Sequence, residues 1–132
     1  MKIEDHIARI QDSLKTIEDC VQDDIVERQR SIAFSASAAA CDLFELYLHK
    51  NNLISAGTYI QHNWMRSIKR MKEKFPFDFE NKDEILTFLY YLEKDRDRLC
   101  YGKRHPEKTV ISFLETFQKI HKLLRKMGVD EV

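Results

Sequence analysis

The chain has little that interrupts a helix. Three glycines and two prolines are spread over 132 residues, so turns are few and the elements between them are long. An excess of either charge is missing too: 22 Lys and Arg stand against 22 Asp and Glu. A neutral chain is no general binder of polyanions, so any contact with nucleic acid has to use a local patch. No apolar run approaches the roughly 18 residues of a membrane span, and no membrane contact is expected. Cys20, Cys41 and Cys100 are odd in number and far apart. They fit neither a disulfide framework nor a zinc knuckle and read as reduced thiols, mostly in the core. The opening Met1-Lys2-Ile3-Glu4-Asp5-His6 lacks a signal-peptide layout, and the expected location is cytoplasmic. Period-two alternation is absent over any useful length, which argues against a sheet. No glycine-rich phosphate loop exists for P-loop chemistry.

What is present is helical periodicity in one domain, 1–132, long enough to bury a core. Ile3, Ile7, Ile10, Leu14, Ile17 and Val21 step by three and four and predict a first helix buried along that stripe. Asp23-Asp24 predicts the cap of a second helix running to about Lys50, with an Ala/Ser-rich centre, Ser31 to Cys41. Small residues let helix backbones approach closely, so this helix belongs at the centre. A third helix is predicted from Ser55–Thr58 to Phe75–Pro76, with Ile60, Trp64, Ile68, Met71 and Phe75 on one face. A fourth starts around Asn81–Asp83 and stops at Gly102, with Ile85, Leu89, Leu92, Arg96 and Leu99 as its stripe. A fifth follows Pro106 and carries Val110, Phe113, Leu114, Phe117, Ile120, Leu124 and Met127. The fold class is all-α: about five helices in a mostly antiparallel bundle.

Most candidate chemistry reads as structure. The five histidines, His6, His49, His62, His105 and His121, show no ligand spacing, so no metal and no cofactor are expected. No Cys–His pair suggests a nucleophile, and Ser35 and Ser37 have no base nearby in sequence. On the third helix, Arg66, Lys69, Arg70, Lys72 and Lys74 against Glu73 form a basic face, either solvated or a contact for phosphate.

The most informative segment is Arg96-Asp97-Arg98-Leu99-Cys100-Tyr101-Gly102-Lys103-Arg104-His105-Pro106. At about 100° per residue, Arg96 falls inside the apolar stripe of the fourth helix, while Arg98 points roughly 160° away, towards Tyr91 and Asp95. A charge inside an apolar stripe needs a carboxylate partner, an escape to the helix end or a cleft. The alternative use of these arginines is to hold phosphate oxygens and stabilise a pentavalent transition state, with His105 moving a proton.

The helix order, the Ala/Ser-rich second helix and the Arg-Asp-x-x-x-Tyr-Gly ending of the fourth helix resemble the HEPN family. The resemblance implies a small helical bundle, usually homodimeric. Many members are metal-independent endoribonucleases, often toxins paired with a nucleotidyltransferase antitoxin; others lack the catalytic residues and serve as binding or regulatory modules. Active members carry Arg, four to six residues, then His. Here Arg96 is followed after four residues by Tyr101, and Arg98 reaches His105 across six. For a ribonuclease, the resemblance implies that His105 activates a ribose 2′-OH. Arg98, with Arg96, would hold the phosphate, and Tyr101, Lys103, Arg104, Arg66, Lys69 and Arg70 would bind RNA. For a non-catalytic module, it implies a nucleotidyltransferase or another protein as partner.

Overall fold

A computed structural model describes residues 2–132. Five α-helices and one 3-10 helix follow one another, with no strand among the described residues: α1 (Ile3–Asp23), α2 (Gln29–Lys50), the 3-10 helix (His62–Arg66), α3 (Ile68–Lys74), α4 (Lys82–Cys100) and α5 (Glu107–Lys126). The all-α reading therefore holds, with five packed helices.

α2 is the axis of the molecule and packs against α1, α4 and α5. Ala33, Ala36, Ala39 and Ala40 are buried along it, and Leu43, Phe44, Leu46 and Leu48 continue the core. Among the described residues, α2 is the one helix long and apolar enough, by length and composition, to cross a membrane. Of that window, 78% is buried inside the bundle, as in the core helix of a globular protein. Side-chain contacts set the directions. Ser37 meets Glu93 and Cys100 meets Arg30, so α4 runs antiparallel to α2. Gln29 meets His105 while Lys50 meets Gly128, so α5 runs parallel to it.

Two expected features are corrected. The buried line of α1 is His6, Ile10, Ile17 and Cys20; Ile3 and Val21 are exposed. The helix is rotated from its apolar stripe because acidic Asp42 and Glu45 of α2 face it and take His6 inward. The predicted third helix is not continuous. Asn52, at φ 55°, ends α2, and residues 53–61 form a loop in which Glu45 captures the Ile60 N–H. Only the short 3-10 helix follows. Ser67 then adopts an extended backbone, and its hydroxyl accepts the Arg70 N–H at 3.3 Å, capping α3. Side chains that compete for backbone N–H groups favour such breaks over helix continuation. Residues 60–75 are nevertheless anchored in the core: Ile60, Met65, Met71 and Phe75 are buried, and Phe75 packs edge-on against Phe44 at 5.1 Å between ring centroids.

The turn between α1 and α2 is capped by Asp24, whose Oδ1 accepts the Val26 and Glu27 N–H groups at 3.0 Å each, so α2 itself begins at Gln29. Gly102 sits at φ 87°, a left-handed conformation that ends the run after α4 and would strain any other residue.

Candidate functional site

α4 ends in two arginines that the fold treats differently. The Arg96 side chain is 15% exposed. Its Nη1 donates to Glu93 Oε1 at 3.3 Å, and its guanidinium lies 5.0 Å from the centre of the Phe34 ring. Asp97 stands beside it at 3.6 Å and also meets Arg66 at 3.7 Å, which joins the 3-10 helix to the end of α4. Arg98 is 58% exposed and pairs with Asp95 on its own helix at 3.7 Å.

The following loop is held through its backbone. The buried side chain of Gln29 accepts the His105 N–H at 2.9 Å and donates to the His105 carbonyl at 3.0 Å. Tyr101, Lys103 and Arg104 are exposed, His105 is half-buried, and Arg104 pairs with Glu27 at 2.7 Å. Lys103 and Arg104 share a shallow cleft of about 260 Å³ with Arg30 and Cys100; Arg96, Arg98 and His105 do not line it. Of the expected basic face, Lys69 and Arg70 are exposed on α3, and Lys74 stands 4.9 Å from the Trp64 ring centre.

Behind Arg96 lies a polar seam with no motif in the sequence. Glu93 Oε2 accepts from the Ser37 hydroxyl at 3.0 Å and lies 3.2 Å from His62 Nδ1. Burial pushes the Glu93 carboxyl up, but the His62 hydrogen bond, the His62 and Arg96 charges and the Ser37 bond together hold it below its ordinary value. A base does reach Ser37, since His62 Nδ1 is 3.2 Å from its oxygen, and Cys41 Sγ is 3.6 Å from the same nitrogen. Neither makes a nucleophile. Ser37 is buried with its proton directed at a carboxylate, and burial with the nearby Glu93 charge pushes the Cys41 thiol up, away from thiolate.

A cleft of about 440 Å³ opens on the same side of α2, lined by Arg9, Cys41, Asp42, Glu45, Tyr59 and His62 among others. Asp42 and Glu45 are buried beneath it, and Arg9 reaches Asp42 at 3.5 Å. Burial pushes the Asp42 carboxyl up to about 6 and raises Glu45 as well. His6 lies against both acids, and burial followed by the neighbouring His49 pushes it down to about 4. His6, Glu45 and His49 place their possible ligand atoms within 4.8 Å of one another. Histidine spacing along the sequence did not reveal this group, because α1 and α2 supply one imidazole each. The Glu45-x-x-x-His49 spacing, which places both on one face of α2, was the available signal.

No family model, curated protein or solved structure matches this chain.

Proposed function

We propose that the protein is a HEPN-like helical module that binds a partner and does not cleave RNA. The observation that carries the reading is Arg96. In this motif it is the arginine with a polar neighbour directly after it, yet its charge is taken up by Glu93, whose side chain is 3% exposed. A guanidinium engaged this way is poorly placed to clamp a phosphate. After four intervening residues comes Tyr101, and a phenol does not take up a proton at neutral pH as an imidazole can. The reading extends to a homodimer and to a nucleotidyltransferase or similar protein as partner.

One observation favours the endoribonuclease reading instead. Arg98, Tyr101, Lys103 and Arg104 are all exposed around the end of α4, in the segment that also carries His105. Incubating labelled RNA, including tRNA, with the purified chain in EDTA separates the two. The module reading expects no cleavage by wild type, Arg98→Ala or His105→Ala, and a dimer by sedimentation. Cleavage leaving a 2′,3′-cyclic phosphate, lost in both variants, overturns it and establishes the ribonuclease.

A further inference from the structure

Where α1 packs on α2, His6 is fully buried and neither of its ring nitrogens has a hydrogen-bond partner. An imidazole left this way costs free energy unless something else satisfies it. Nε2 points at Glu45 Oε2 from 3.3 Å, and Nδ1 faces Asp42 Oδ1 at 3.7 Å. The His49 ring lies 5.2 Å from the His6 ring, centroid to centroid. We propose that His6, Glu45 and His49 bind a divalent transition-metal ion of the zinc type.

The geometry suits such an ion. Two donors on a tetrahedral zinc, each about 2.0–2.1 Å from the metal, stand roughly 3.3–3.4 Å apart. The His6 and Glu45 donors are already at 3.3 Å. His49 has to close a separation of at most 4.8 Å by about 1.5 Å, a small rotation for a half-buried side chain at the end of a helix. Two imidazoles and one carboxylate favour zinc, cobalt or iron over calcium or magnesium, which prefer oxygen donors alone.

The surroundings support the three donors as an outer shell does. The Ile60 N–H donates to Glu45 Oε1 and leaves Oε2 directed at His6. His49 Nε2 donates to the Thr58 carbonyl at 3.2 Å, which leaves the lone pair on Nδ1. Asp42 Oδ1 faces His6 Nδ1, the nitrogen turned away from Glu45, at 3.7 Å and without a hydrogen bond; closing that gap would complete a carboxylate–histidine–metal order. Three protein donors leave a coordination position, and Glu45 lines the cleft from which water or a small anion would fill it.

The test uses the full chain, free of any affinity tag and stripped with chelator, titrated with cobalt(II) chloride and followed by visible absorption and thermal unfolding. The expected result is one equivalent bound, ligand-field bands without a thiolate charge-transfer band, and a raised Tm. His49→Ala and Glu45→Gln are each expected to weaken binding at least tenfold with helicity intact; glutamine can still accept the Ile60 N–H. Asp42→Asn is expected to weaken it 10- to 100-fold with the same spectrum, while Cys41→Ser and His62→Ala leave it unchanged. Because His6 is wholly buried, no arm depends on replacing it. Binding of less than one equivalent, or binding that survives in both His49→Ala and Glu45→Gln, overturns the proposal. So does a thiolate band abolished by Cys41→Ser.

Discussion

Two ends of α2 collect polar side chains, and they differ in almost every physical respect. At its start, Arg98, Tyr101, Lys103 and Arg104 stand in solvent, and the two arginines pair with the half-buried Asp95 and the exposed Glu27. Such pairs are worth about 0–1 kcal/mol each and weaken with salt. Towards its end, His6, Asp42 and Glu45 are buried, and the histidine is without a hydrogen-bond partner. Polar groups there are expensive, so their retention asks for a reason; at the exposed end it asks for none. Between the two sits the Glu93 seam, where Ser37, His62 and Arg96 share one carboxylate, although Arg96 Nε and Asp97 Oδ1 beside it have no hydrogen-bond partner.

The comparison is broken most sharply by the same change made at two sites on α4. Glu93→Ala leaves the nearly buried Arg96 charge with only the longer 3.6 Å contact to Asp97, strips Ser37 and His62 of their shared acceptor, and is expected to lower stability by about 3 kcal/mol. Asp95→Ala, which frees only the exposed Arg98, is expected to cost less than about 0.5 kcal/mol. Urea unfolding of both variants checks the contrast, and equal losses would erase the distinction.

A middle-sized effect belongs to the loop after α4. Gln29→Ala removes both hydrogen bonds to the His105 backbone and is expected to cost about 1–2 kcal/mol. Trypsin cleavage after Lys103 and Arg104 should accelerate correspondingly, and unchanged cleavage would show that the loop is held by other contacts.

Acid response sharpens the buried side of the comparison. His6 titrates near 4 in the fold against 6.5 ordinarily. The unfolded chain therefore binds its proton first, and stability is lost as pH falls from 6.5 to 4. Asp42 titrates near 6 against 3.8, so the folded chain binds that proton first and stability is gained over nearly the same window. The two slopes oppose each other. Asp42→Asn removes the offset, and its urea midpoint is expected to fall further than that of wild type between pH 6.5 and 4. A smaller fall in the variant would reverse the assigned directions.

The smallest effect is expected from Arg98→Ala: within about 0.5 kcal/mol of wild type in urea.

Much of the fold was legible because α4 and α5 carry apolar residues at helical spacing, and because the Ala/Ser-rich centre of α2 marks a helix packed on several sides. The break at Ser67 was not legible. It depends on a serine cap and on a glutamate from another helix competing for backbone N–H groups, and neither shows in apolar spacing. The inward turn of α1 was hidden for a similar reason, since a histidine replaced the expected apolar contact once two acids lay opposite. Arg96 is readable on a helical wheel as lying within the apolar stripe; its carboxylate partner is Glu93, one turn back on the same helix. The His6–Glu45–His49 group was out of reach of histidine spacing alone because it forms only when two helices meet.

The central claim is that Arg96 belongs to the interior of the fold and not to a phosphate site. A double-mutant cycle in urea tests it, using Glu93→Gln, Arg96→Met and the pair together. The account predicts a coupling of about 1–3 kcal/mol between the two residues. A coupling below about 0.5 kcal/mol, with Arg96→Met as stable as wild type, would mean that the guanidinium is free for a ligand and would contradict it.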